Sequence, residues 1–189
     1  MLGEGCYNKQ CWIIKSHHPE FPLPKAFNAD KALVIIRNPI DTFISKFNLK
    51  AGGTQDKSIH PDEHERLRPL FEDMSEMHFT FWPMFYKYYQ SLDIPVYFMR
   101  YEDILADPYT TFYGVMQFLL NEKDLKGRVI DKILQISTKS KAPEKYLPKR
   151  ESFESKIKRF NSDQLKEFYK LEKDLIDFYG YGAIFGGED

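Results

Sequence analysis

The sequence predicts an α/β domain, a three-layer arrangement of a parallel sheet with flanking helices. Three observations point there. Short apolar, β-branched runs recur without strict alternation, as in strands buried on both faces. Helix-spaced stretches separate them. Each strand run ends in polar or charged residues, which in a parallel sheet mark the carboxyl edge where ligands bind. At 189 residues the chain suits one domain, taken as 1–189, and is short for two.

The first strand is expected at Cys11-Trp12-Ile13-Ile14-Lys15, the second at Ala32–Arg37, and the third at Pro95–Tyr101. A helix over Asp41–Leu49 follows Asn38-Pro39, proline being harmless near a helix start. Lys50–His60 is glycine-rich and polar, hence a loop. His64–Leu92 has helical spacing and many aromatics, and Pro69 and Pro83 are expected to break or kink it. Asp107-Pro108 opens a helix to about Leu120, and Leu125–Ile136 forms another. Ser137–Phe160 is charged and proline-containing, so it reads as a loop. The last helix starts with Asn161 or Ser162 as N-cap and runs to Tyr179, stopped by Gly180. Three strands make a small sheet for this class.

Composition excludes several classes. Hydrophobic residues are 42% and charged ones 29%, ordinary for a folded protein. A net charge of −1 argues against a nucleic-acid binder. Cys6 and Cys11 read as reduced thiols rather than a disulfide framework. No apolar run reaches the roughly 20 residues of a bilayer span, and Met1–Gly5 lacks the basic flank and apolar core of a signal peptide. A cytoplasmic location is the default expectation. His60 and His64 stand four apart with acids between. Pro61 spoils the helix and no third ligand is placed by spacing, so no metal is expected.

Three segments carry the chemistry. They are Lys15-Ser16-His17-His18-Pro19 after the first strand, Arg37-Asn38-Pro39-Ile40-Asp41 with Ser45 after the second, and Arg100-Tyr101-Glu102-Asp103 after the third. In this order and spacing they resemble the sulfotransferases that use 3′-phosphoadenosine 5′-phosphosulfate, PAPS. The resemblance covers roughly Cys11 to Leu120, with weaker similarity in the last helix. It implies a P-loop-like sheet. It assigns His17 as the base and Lys15 as charge stabiliser, with Arg37, Ser45 and Tyr101 on the nucleotide. Lys149 and Arg150 resemble the start of the family's closing loop over the 3′-phosphate, although Glu151, Ser152, Glu154 and Ser155 replace its glycines.

The residue chemistry fits those roles. The Arg37 guanidinium presents a planar fork for two phosphate oxygens, and the helix start after Asn38 favours anions. The plain alternative for Arg37 is an ion pair with Asp41 at i+4. Imidazole titrates near neutrality, so His17 is suited to take an acceptor's proton. Tyr101 reads either as an adenine platform or as a core aromatic. Glu102 and Asp103 read as acids that fix a helix start or a loop.

The family's phosphate loop and its strand have no counterpart before these motifs in the sequence as given, so the sheet is expected to be incomplete at the N-terminus. Two functions remain open, and between them sits a nucleotide-sensing module that binds adenosine 3′,5′-bisphosphate without turnover. One is sulfuryl transfer from PAPS to a hydroxyl or amine acceptor, releasing adenosine 3′,5′-bisphosphate, with a protein partner supplying the missing strand and loop. The other is a catalytically inactive structural subunit of a larger assembly.

Overall fold

This computed structural model describes residues 12–15, 29–53, 59, 63–139 and 152–186. The chain is mixed α/β and mostly helical. Two strands, β1 (Ala32–Ile36) and β2 (Val96–Arg100), pair in parallel, with Ile36 opposite Arg100. Between them run α1 (Pro39–Gly52) and α2 (Arg68–Gln90). After β2 come α3 (Tyr101–Ala106), α4 (Pro108–Leu120), α5 (Val129–Ser137), α6 (Phe153–Ile157) and α7 (Ser162–Phe178), then a 3-10 turn at Gly182–Phe185.

Local signals set most boundaries. The Asn38 side chain accepts the Asp41 N–H at 2.8 Å and caps α1. Asp107 does the same for α4 through Thr110 N–H at 3.0 Å. Asn161 accepts from Asp163 N–H at 2.8 Å and starts α7. At the far end of α4, Asn121 takes a left-handed conformation (φ 57°). Lys31 Nζ lies 3.1 Å from the Leu119 carbonyl, satisfying part of that helix end.

The core is aromatic. Phe43 and Phe47 of α1 meet Phe71 edge-on at 4.9 and 5.1 Å, and Phe160 closes against Phe43 and Phe71 at 5.2 and 5.0 Å. Phe79 and Phe168 join α2 to α7 at 4.5 Å. Edge-to-face pairs of this kind contribute about 0.5–1.5 kcal/mol each beyond their burial. Ala32, Val34 and Ile36 of β1 point into this core. On the alternate face of the sheet Tyr97 packs on Phe118 of α4 at 5.3 Å, whereas Leu33 and Ile35 of β1 are 40% and 53% exposed.

Four expectations need correction. Residues 12–15 form no strand, and Trp12 and Ile13 are 71% and 62% exposed, so the sheet has two strands among the described residues rather than three. An apolar run becomes a strand only when a neighbour accepts its ladder, and among the described residues β1 pairs with β2 alone. Pro83 does not end α2, which continues to Gln90. The burial of Phe79, Trp82 and Tyr86 around it outweighs the one lost hydrogen bond. Tyr101–Ala106 is helical, and a short helix, α6, sits inside the stretch read as a loop, capped by Ser152 Oγ accepting Ser155 N–H at 3.1 Å.

Candidate functional site

The carboxyl ends of β1 and β2 lie side by side, and each delivers residues to one place. Past β1, Arg37 and Asn38 turn the chain into α1. Asn38 is almost fully buried, and its orientation is fixed on both sides. Its backbone N–H and its Nδ2 both donate to Glu102 Oε1, at 3.0 and 2.9 Å. Nδ2 also donates to Asp41 Oδ2 at 2.9 Å. The other Glu102 oxygen accepts the Tyr181 hydroxyl at 2.8 Å. Burial, and then the Glu102 charge, push the Tyr181 hydroxyl far up, so it stays a donor.

Arg37 is pinned by its backbone and left partly open at its head. Its carbonyl accepts Trp82 Nε1–H at 3.1 Å. Its guanidinium lies 4.6 Å over the Tyr101 ring, the first residue of α3. Nη2 stands 3.9 Å from Asp41 Oδ2, a loose ion pair, and the side chain is 30% exposed. Its Nε is buried and meets no acceptor among the described residues. The Arg100 Nε is in the same condition, so the part of Arg37 open to an anion is its solvent-reaching fork.

Asp41 is shared. Lys156 Nζ, arriving from α6, donates to Asp41 Oδ1 at 2.7 Å. Burial pushes this carboxyl up, but hydrogen bonds from Lys156 and Asn38 outweigh it and hold it below the usual carboxylate range. Ser45 is half-buried one turn beyond Asp41, so Asp41 and Ser45 fall on one side of α1, the side that Arg37 reaches at Asp41.

Behind the turn, on the core side, Arg100 lies 4.8 Å over the Tyr181 ring. Gly180 precedes Tyr181 with φ +71°, and a Cβ there would lie 3.0 Å from Arg100 Nη1.

The structure thus brings Arg37 and Tyr101 into contact and sets Ser45 on the same side of α1 as Asp41. The ion-pair reading of Arg37 has a physical counterpart, since its Nη2 reaches Asp41. Lys15 is exposed and lies outside any strand. His17, Lys149 and Arg150 lie outside the described residues, as does His60. Among the described residues no group of three potential metal ligands is found, and no helix is long and apolar enough to cross a membrane. Sequence reasoning missed Lys156 and Tyr181. Neither carries a local signal, because both act through partners far along the chain.

Comparison with known proteins agrees with the order of these motifs. The family model described as the sulfotransferase domain matches residues 7–175. Cytosolic sulfotransferase 10 of Arabidopsis thaliana is 31% identical over 140 residues, which is 68% of this chain and 40% of that relative. The chain belongs to the sulfotransferase family. It covers about two-fifths of the length of that curated relative. No solved structure matches.

Proposed function

We propose that this chain is the nucleotide-binding part of a PAPS-dependent sulfotransferase, a single domain built on a three-layer, P-loop-like sheet. Arg37 and Ser45 hold the 3′-phosphate, and Tyr101 packs beside the adenosine. Lys149 and Arg150 add positive charge over the same phosphate. The reaction moves a sulfuryl group from the 5′-phosphosulfate of PAPS to a hydroxyl or amine acceptor. The bond from sulfur to the phosphate oxygen breaks, one to the acceptor oxygen or nitrogen forms, and adenosine 3′,5′-bisphosphate leaves. His17 takes the acceptor's proton, and Lys15 stabilises the charge that develops on the leaving phosphate. The phosphate loop and its strand come from a partner or from further chain.

The observation that carries this reading is the Arg37 guanidinium stacked on Tyr101 at the joined carboxyl ends of two parallel strands. It puts a cation with a buried, unpaired Nε–H beside an aromatic face, the pairing that a nucleotide phosphate and its base demand. Calorimetric titration with adenosine 3′,5′-bisphosphate tests it. Wild type is expected to bind, and Arg37→Ala to lose at least about tenfold in affinity. A flat titration of the wild type up to the solubility limit would remove the proposal.

A second reading, a catalytically inactive structural subunit, draws on the exposed apolar groups Trp12, Ile13, Leu33 and Ile35. Such a subunit would bind no bisphosphate. It would also elute as part of a complex when purified from its source, which separates the two readings.

A further inference from the structure

Asp41 and Ser45 stand one helical turn apart on α1, and Arg37, two residues before the helix, reaches Asp41 from its start. Lys156 arrives there from 115 residues away in sequence, with Nζ 2.7 Å from Asp41 Oδ1. Arg37 Nη2 approaches the other oxygen of the same carboxylate at 3.9 Å. The Lys156 and Asp41 side chains are 15% and 19% exposed, so this is a largely desolvated pair with its cation held in place. Two cations share one carboxylate, and the Arg37 Nε–H beside them has no acceptor among the described residues.

We propose that Lys156 is a phosphate-contacting residue of this site: Asp41 keeps its ammonium positioned, and the phosphate gripped by Arg37 competes with Asp41 for it. The ligand class is an adenosine nucleotide carrying a 3′-phosphate monoester, so the proposal rests on the nucleotide reading given above. A phosphate dianion outcompetes a carboxylate for two cations because it carries more charge and more acceptor oxygens. The ordering cost is already met, since Lys156 is immobilised on Asp41 before the ligand arrives. Lys156 belongs to none of the motifs that define the family resemblance. It stands six residues past Arg150, on α6, whose own register is set by the Ser152 cap.

The test is calorimetry of the full chain with adenosine 3′,5′-bisphosphate at fixed ionic strength, using two variants. Lys156→Met keeps the side-chain stem and removes the charge; its affinity is expected to fall about tenfold. Lys156→Gln keeps a donor for Asp41 and removes the charge; its affinity is expected to fall about fivefold. Unchanged affinity in a folded Lys156→Met overturns the proposal and leaves the nucleotide reading standing. A wild type that takes no bisphosphate overturns both. If Lys156→Met fails to fold by circular dichroism, Lys156→Gln decides alone, and unchanged affinity overturns the proposal.

Discussion

Glu102 holds Asn38 by two donors at once, the backbone N–H at 3.0 Å and the side-chain amide at 2.9 Å. The contact spans 64 residues and ties the turn after β1 to the helix after β2. Glu102→Ala strands the buried Asn38 N–H and the Tyr181 hydroxyl together. The expected loss is about 2–4 kcal/mol of unfolding free energy by urea titration, against about 1 kcal/mol for Glu102→Gln, which keeps an acceptor oxygen. Equal losses in the two variants would show that the carboxylate's hydrogen bonds do not anchor the turn.

His78 makes stability depend on pH. Burial pushes its imidazole down to about 4 from 6.5, the Pro39 carbonyl at 2.9 Å acts the other way, and the Lys46 charge adds to the depression. Because the folded pKa lies below the unfolded one, the unfolded chain binds the extra proton between those values. Stability is therefore complete above pH 6.5 and is lost as pH falls toward 4, by about 3 kcal/mol. His78→Gln still donates to Pro39 and does not titrate, so the difference between the two proteins' urea stabilities should close at low pH. A difference that stays constant from pH 7.5 to 4.5 would count against a neutral buried His78.

The stack of Arg37 on Tyr101 predicts a ring-specific effect on nucleotide affinity. Tyr101→Phe keeps the face under the guanidinium, whereas Tyr101→Leu removes it. On the proposed function, the Leu variant should bind adenosine 3′,5′-bisphosphate about fivefold more weakly than the Phe variant, from a cation–π contact of about 1 kcal/mol. Matching affinities would mean the ring does not position Arg37.

Gly180 is expected to resist substitution. Its φ of +71° costs a side-chain-bearing residue about 1–2 kcal/mol, and an added Cβ would meet Arg100 Nη1 at 3.0 Å. Gly180→Ala should lower the midpoint of thermal unfolding by about 2–8 °C, measured by circular dichroism.

Where a structural choice is local, the sequence was readable. Asn38-Pro39, Asp107-Pro108 and Asn161-Ser162 announce α1, α4 and α7 because a capping side chain and its N–H acceptor site lie within three residues. Where the choice depends on distant neighbours, it was not. The apolar run at 12–15 resembles a strand in composition but finds no ladder, and Pro83 looks like a break until Phe79, Trp82 and Tyr86 bury around it. The same division runs through the site. The Arg37–Asp41 pair could be read from its i, i+4 spacing. Lys156 could not, because its only sign is a contact with Asp41 across 115 residues. Glu102 was legible as a loop-fixing acid, though not what it fixes.

The Tyr181 hydroxyl bond to Glu102 closes a span of 79 residues. During synthesis the strand-end turn therefore stays unlatched until the segment after α7 has cleared the ribosome. Loop closure over such a distance is entropically slow, and it delays the stacking of Arg100 on Tyr181 until late in folding. A nascent chain halted before residue 181 would have both strands and most of its aromatic core, with Glu102 already on Asn38 but its second oxygen still without the Tyr181 hydroxyl.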